Sequence, residues 1–160
     1  MLDSVMIVLA IAVLVVTIAG KWKMFVKAGE PGWKAIIPLY NDYISFRVFW
    51  GDERVFATYL VLVITILMVE GLFMPVAEGT ASEVAVIILM MLLLVAAIAE
   101  CVICAKLCMR TARSFGKGEG FATGLFFLNV IFCLILGFGD ARYLGPNGGQ
   151  GYGPRLGEEK

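Results

Sequence analysis

The sequence predicts an all-α membrane protein: a four-transmembrane-helix bundle with a short interfacial amphipathic helix between spans 1 and 2. Three observations predict it. The chain of 160 residues is 61% hydrophobic, against about 45–50% in soluble domains, and its mean hydropathy is +0.91. The apolar residues gather into four long runs instead of recurring at helical or strand period. The basic residues fall in the connections between those runs.

Composition also excludes. The formal net charge is zero, which gives nucleic acid no electrostatic footing as a partner. Histidine is absent, and with it the commonest general base, zinc ligand and haem ligand. The four cysteines, Cys101, Cys104, Cys108 and Cys133, lie in or beside apolar runs and do not read as a secreted disulfide framework.

The first run, Ser4–Gly20, reaches roughly 25 Å as a helix, the short end of what crosses a bilayer. Asp3 precedes it and lysines follow it, the reverse of a signal peptide's basic start, so it reads as an uncleaved span. The interfacial segment, 27–52, begins KAGEPGWKAIIPLYN. Gly29 and Pro31-Gly32 read as a turn, and Pro38 disfavours helix at Ile37. Leu39, Tyr43, Phe46 and Trp50 then share one side while Asn41, Asp42, Ser45 and Asp52 take the other. That pattern predicts an amphipathic helix of about three turns, too short and too charged to span. Trp33, Tyr40, Asn41, Tyr43 and Trp50 are its candidate platform, because amphipathic rings suit the headgroup level.

The remaining runs, Val55–Ala77, Val84–Ala105 and Gly120–Gly139, are each long enough for one helical span. Residues 1–144 therefore form one membrane domain. The tail 145–160 is Gly-rich with little to bury, and reads as a flexible, solvated terminus. Orientation follows from Lys and Arg. The loops after spans one and three are rich in both, whereas the N-terminus and the loop Glu78–Glu83 have neither. The positive-inside rule puts the two basic loops in the cytoplasm, and four spans put both termini outside it.

Three intramembrane polar residues are the candidate functional groups: Glu70, Glu100 and Asn129. An acid inside a span costs about 2.5–3.5 kcal/mol on insertion scales, so it normally faces a bundle interior or water. The two acids fall at different depths and do not make one shared carboxylate site. Asn129 is suited to bonding across helices. Cys101, Cys104 and Cys108 share one helix face, and Cys133 supplies a fourth thiol. One straight helix presents ligands in a row, though, so small-residue packing through Ala97, Cys101 and Ala105 is the better reading than a metal site. Gly120, Gly124, Cys133 and Gly137 read likewise as packing positions. The loop SFGKGEGF lacks the spacing of a phosphate-binding loop. Ser114 and Lys117 form a Ser-Lys pair by residue type only. No catalytic residue and no cofactor follows from the sequence.

Two blocks carry a resemblance. The run W-x-x-F-x-K-A-G-E-x-G-W-K-A-I-I-P-x-Y-N-x-Y (Trp22 to Tyr43) and the run SFGKGEGFATGLFFLNVIFCLILGFGDARYLG (Ser114–Gly145) resemble a family of small, uncharacterised bacterial membrane proteins. A similar domain precedes some type I signal peptidases. The resemblance implies a multi-pass protein of the bacterial cytoplasmic (inner) membrane, in an envelope or export context. It carries no activity. One departure is Asn129, where the family pattern leads one to expect prolines. The functional expectation is a structural or accessory envelope component, in contact with the lipid bilayer and with a homo-oligomeric or complex partner. The alternative is a small ion or proton channel or transporter using the intramembrane acids. An enzyme fits least, because no nucleophile–base pair is visible.

Overall fold

In a computed structural model, the protein is described over residues 2–75 and 83–149, with the side chains of 2, 3, 70, 72–75 and 83 excepted. Every regular element among the described residues is helical. The long ones are α1 (Leu2–Lys27), α3 (Glu53–Pro75) and α4 (Glu83–Ser114). The short ones are a 3₁₀ turn (Gly32–Ala35), α2 (Tyr40–Ser45) continued by a π turn (Phe46–Trp50), α5 (Glu119–Phe127) and α6 (Asn129–Phe138). The chain divides into two compact units: Met1–Glu53 with Leu107–Lys160, and Arg54–Lys106.

The second unit is made of α3 and the first part of α4. Its side chains are mostly exposed apolar groups, and Thr65 turns its hydroxyl back to the Val61 carbonyl at 2.8 Å. That bond satisfies the Thr65 hydroxyl within its own helix.

The first unit holds the core, and here it is called the headpiece. Both long helices run past their apolar stretches, α1 through Lys21–Lys27 and α4 through Lys106–Ser114. This extension of α1 buries Met24 and Phe25, and Ala28 is buried just after it. Both helices then stop in the same way. Gly29, at φ +83°, donates to Val26 while Glu30 donates to Phe25 at 2.8 Å. Gly116, at φ +67°, donates to Arg113 while Lys117 donates to Ala112, both at 2.9 Å. Each is a Schellman cap, with glycine where a left-handed residue is required. The K-A-G-E and S-F-G-K stretches are thus one device used twice.

The fourth apolar run is not one span. Leu128, at φ −121° and ψ 48°, separates α5 from α6, and the two helices fold against each other. The rings of Phe121 and Phe132 lie 4.7 Å apart, whereas eleven residues of straight helix would separate them by roughly 16 Å. Gly124 makes room for the Phe132 ring, into which a Cβ there would run. Helix α6 lies along α1 in parallel. Gly20 faces Cys133, Lys23 sits over the Phe138 ring at 5.9 Å, and Lys27 reaches Gly139. The residues flanking the hairpin meet as well: the Leu144 N–H donates to the Ser114 carbonyl at 2.7 Å.

This corrects the four-span expectation. Among the described residues, two helices are long and apolar enough to cross a membrane, Ser4–Lys27 and Val84–Ser114. The run Gly120–Gly139 doubles back, so residues 139–149 start beside the loop that follows α4 and not across a bilayer from it. Tail residues 150–160 and the connection at 76–82 lie outside the described residues.

Candidate functional site

The headpiece core joins both ends of the chain. Phe25 from α1, Ala28, Ala35, Ile44, Val48 and Phe49 from the interfacial segment, and Phe115, Leu125, Cys133 and Leu136 from the closing block form one buried cluster. Phe49 stands at its centre, with ring centroids 6.2 Å from Phe25, 5.8 Å from Phe115 and 6.4 Å from Tyr143. Both blocks that carry the sequence resemblance contribute to this core, and Ile44, Val48 and Phe49 join it from just beyond the first of them.

The buried face of the interfacial helix differs from the expected one. Leu39 is exposed, Tyr43 is only half-buried, and Ile44, Phe46, Val48, Phe49 and Trp50 are buried. Leu39, at φ +63°, lies outside the helix ahead of α2, and from Phe46 the chain continues as a π turn, closed by the Gly51 N–H donating to the Phe46 carbonyl at 3.0 Å. One extra residue per turn rotates the side chains that follow, so a 3.6-residue reading loses phase there.

The candidate platform splits in two. Trp33, Tyr40 and Tyr43 form a continuous stack, with centroids 6.3 and 5.9 Å apart. Beside it Lys34 and Glu30 make an ion pair at 2.6 Å, with side chains only 14% and 9% exposed, and Lys34 also lies 5.8 Å from the Tyr40 ring. Asn41 places its Oδ1 in the interior with no hydrogen-bond partner. Trp50 takes another position, packed on Phe46 and covered by the Arg110 guanidinium at 4.3 Å.

Three polar side chains that the sequence reading did not single out lock the parts together. Lys27 donates to the carbonyls of Leu136 and Gly139 at 2.7 and 2.6 Å, so a cation on α1 closes the C-terminal end of α6. Arg110 donates to the Trp50 carbonyl at 3.1 Å, at the end of the π turn. The Tyr143 hydroxyl donates to the Val48 carbonyl at 2.6 Å. An open cleft of about 380 Å³ lies between Lys27 and residues 139–143. Only the fold pairs each of these groups with its carbonyl.

The side chain of Glu70 lies outside the described residues, and Glu100 is half-buried on α4 in the other unit. Asn129 is exposed at the start of α6, where its Oδ1 accepts from the Cys133 thiol, 3.4 Å away on its own helix and not on another. Cys101 is exposed, Cys104 and Cys108 are half-buried, and Cys133 packs on Gly20. Among the described residues no three metal-ligating side chains converge. The headpiece can hold three segments in register.

Burial pushes the Tyr43 and Tyr143 hydroxyls above the ordinary tyrosine value, and the hydrogen bond to Glu30 raises Lys34. The folded headpiece thus keeps protons that an unfolded chain releases near pH 10. Its stability contribution is complete below about pH 10 and falls as pH climbs through the raised folded values. Denaturation in detergent at stepped pH should show a level plateau through neutrality and a loss above about pH 10. Tyr143→Phe should reduce that loss; an unchanged alkaline slope would refute the assignment.

Residues 80–146 match a family model described as a family of unknown function, DUF5684. The match covers α4, α5, α6 and the closing block, and leaves out α1 and the Trp22–Tyr43 block. No curated protein and no solved structure matches the chain.

Proposed function

We propose that the protein is an integral membrane accessory component, held by α1, α3 and α4 as three spans and assembled with further copies of itself. The observation that carries this reading is the exposure of its apolar helices. Residues 4–15 of α1 are all exposed, and so are thirteen of the nineteen positions of α4 from Val84 to Val102. Helices this apolar need lipid or neighbouring helices around them. On α4, Ala97 and Cys101 leave a close-packing ridge open to a partner helix. The basic headpiece is placed in the cytoplasm by the positive-inside rule.

The channel alternative rests on Glu70, Glu100 and Asn129, of which Glu100 is half-buried and Asn129 bonds to Cys133 on its own helix. Purification in mild detergent followed by native mass measurement tests the reading. The expected result is a defined oligomer of one chain type, resistant to alkaline carbonate extraction from membranes. A monomer at all detergent ratios would overturn it.

A further inference from the structure

We infer that α5 and α6 form a re-entrant hairpin seated in the leaflet on the basic side, its outer surface against acyl chains, with residues 139–149 returning to that same side. This rests on the reading of α1, α3 and α4 as spans; the hairpin itself rests on geometry within the headpiece. The chain enters the hairpin after Ser114 and leaves it before Leu144, and those two residues share a backbone hydrogen bond of 2.7 Å. No segment can cross a core of about 30 Å and have its two ends in hydrogen-bond contact. The Phe115 and Tyr143 rings, 5.8 Å apart, repeat the closure one residue inward.

The register against α1 sets the depth. Cys133 faces Gly20, and Lys23 and Lys27 face Phe138 and Gly139. The apex at Leu128 therefore lies five residues beyond the Gly20 level, towards the N-terminal end of α1. At 1.5 Å per residue that is roughly 8 Å, a shallow insertion. The surface at that depth is apolar and uncovered: Phe127 is 76% exposed, with Leu128 and Ile131 above half. It is continuous with the exposed apolar length of α1, to which α6 is docked, so lipid is the occupant that the surface and its neighbour share. Asn129 stands at the apex, where a helix break needs local polar groups.

Charge agrees with this arrangement. With three spans and a hairpin, all thirteen Lys and Arg of the chain fall on one face. The opposite face, Met1–Ser4 and the connection before α4, has only acids. A fourth span would instead send Arg142, Arg155 and Lys160 to the acidic face, against the positive-inside rule.

Epitopes at the N-terminus, at Lys117 and at the C-terminus of the full chain, probed in sealed membrane vesicles of both orientations, test the inference. The Lys117 and C-terminal epitopes should share one face, with the N-terminal epitope on the other. A C-terminal epitope on the N-terminal face would overturn the hairpin. An N-terminal epitope on the Lys117 face would instead overturn the span reading, and the leaflet assignment with it. A photo-crosslinking amino acid at Phe127 reads the seat itself: lipid adducts are expected, and adducts to water or to protein alone would refute it.

Discussion

Phe49→Ala should destabilise the headpiece by about 3–5 kcal/mol, the range for removing a large aromatic side chain from a packed core. Phe49 is 2% exposed and touches a ring from α1, a ring from the end of α4 and a ring from the closing segment. No neighbour can collapse into the space without leaving another of those contacts, so the cavity term should be large. The two ends of the chain meet through this ring, and its loss should uncouple them. Reversible unfolding in detergent followed by tryptophan fluorescence measures the effect, because Trp50 adjoins Phe49 on the same π turn. Phe49→Leu fills part of the volume and should lose less than half as much. Equal losses for both would mean that the ring is not the keystone.

Gly137→Leu should separate α6 from α1. A Cβ at Gly137 would stand 2.6 Å from the Gly20 carbonyl oxygen and 3.1 Å from the Lys23 Cβ. The first of these is backbone, which cannot swing aside as a side-chain tip can. Overpacking costs about 1–3 kcal/mol where the surroundings can adjust, and here adjustment means parting the helices. Lys27 would then lose its grip on the Leu136 and Gly139 carbonyls. The thiol of Cys133, buried against Gly20, reports the opening directly. In a chain with Cys101, Cys104 and Cys108 replaced by alanine, maleimide labelling of Cys133 should rise at least tenfold in Gly137→Leu. Gly20→Ala should move it the same way and by less, since its Cβ would meet Cys133 at 3.0 Å. Unchanged labelling in both variants would show that the interface tolerates a side chain.

These two positions also show why the fold was only partly legible. Gly137 and Cys133 could be read as a small-residue packing face from their spacing alone, because close helix approach needs small side chains whatever the partner. Their partner, Gly20, could not be read, because spacing within one helix says nothing about which other helix meets it. The platform was read in part: Trp33, Tyr40 and Tyr43 do gather. Trp50 does not join them: it packs on Phe46 within the π turn and lies under the Arg110 guanidinium. Lys27, Arg110 and Tyr143 carried no distinguishing sequence signal. Each acts on a carbonyl 95, 60 or more than 100 residues away, and every residue has such a carbonyl.

By itself, the sequence determined the helical class, the positions of the apolar runs with most of the lysine and arginine gathered in the connections between them, and the glycine turn at Gly29. Those depend on local chemistry: transfer of apolar side chains, backbone hydrogen bonds kept within a helix, and a left-handed residue that only glycine takes freely. Tertiary structure alone decided that the run Gly120–Gly139 doubles back. An apolar run twenty residues long satisfies length and hydropathy whether it is straight or folded. FFLNVI has neither proline nor glycine to mark the bend at Leu128. The bend is set by what α6 docks on, the open backbone at Gly20 and the ammonium of Lys27, and both lie on a helix more than a hundred residues earlier in the chain.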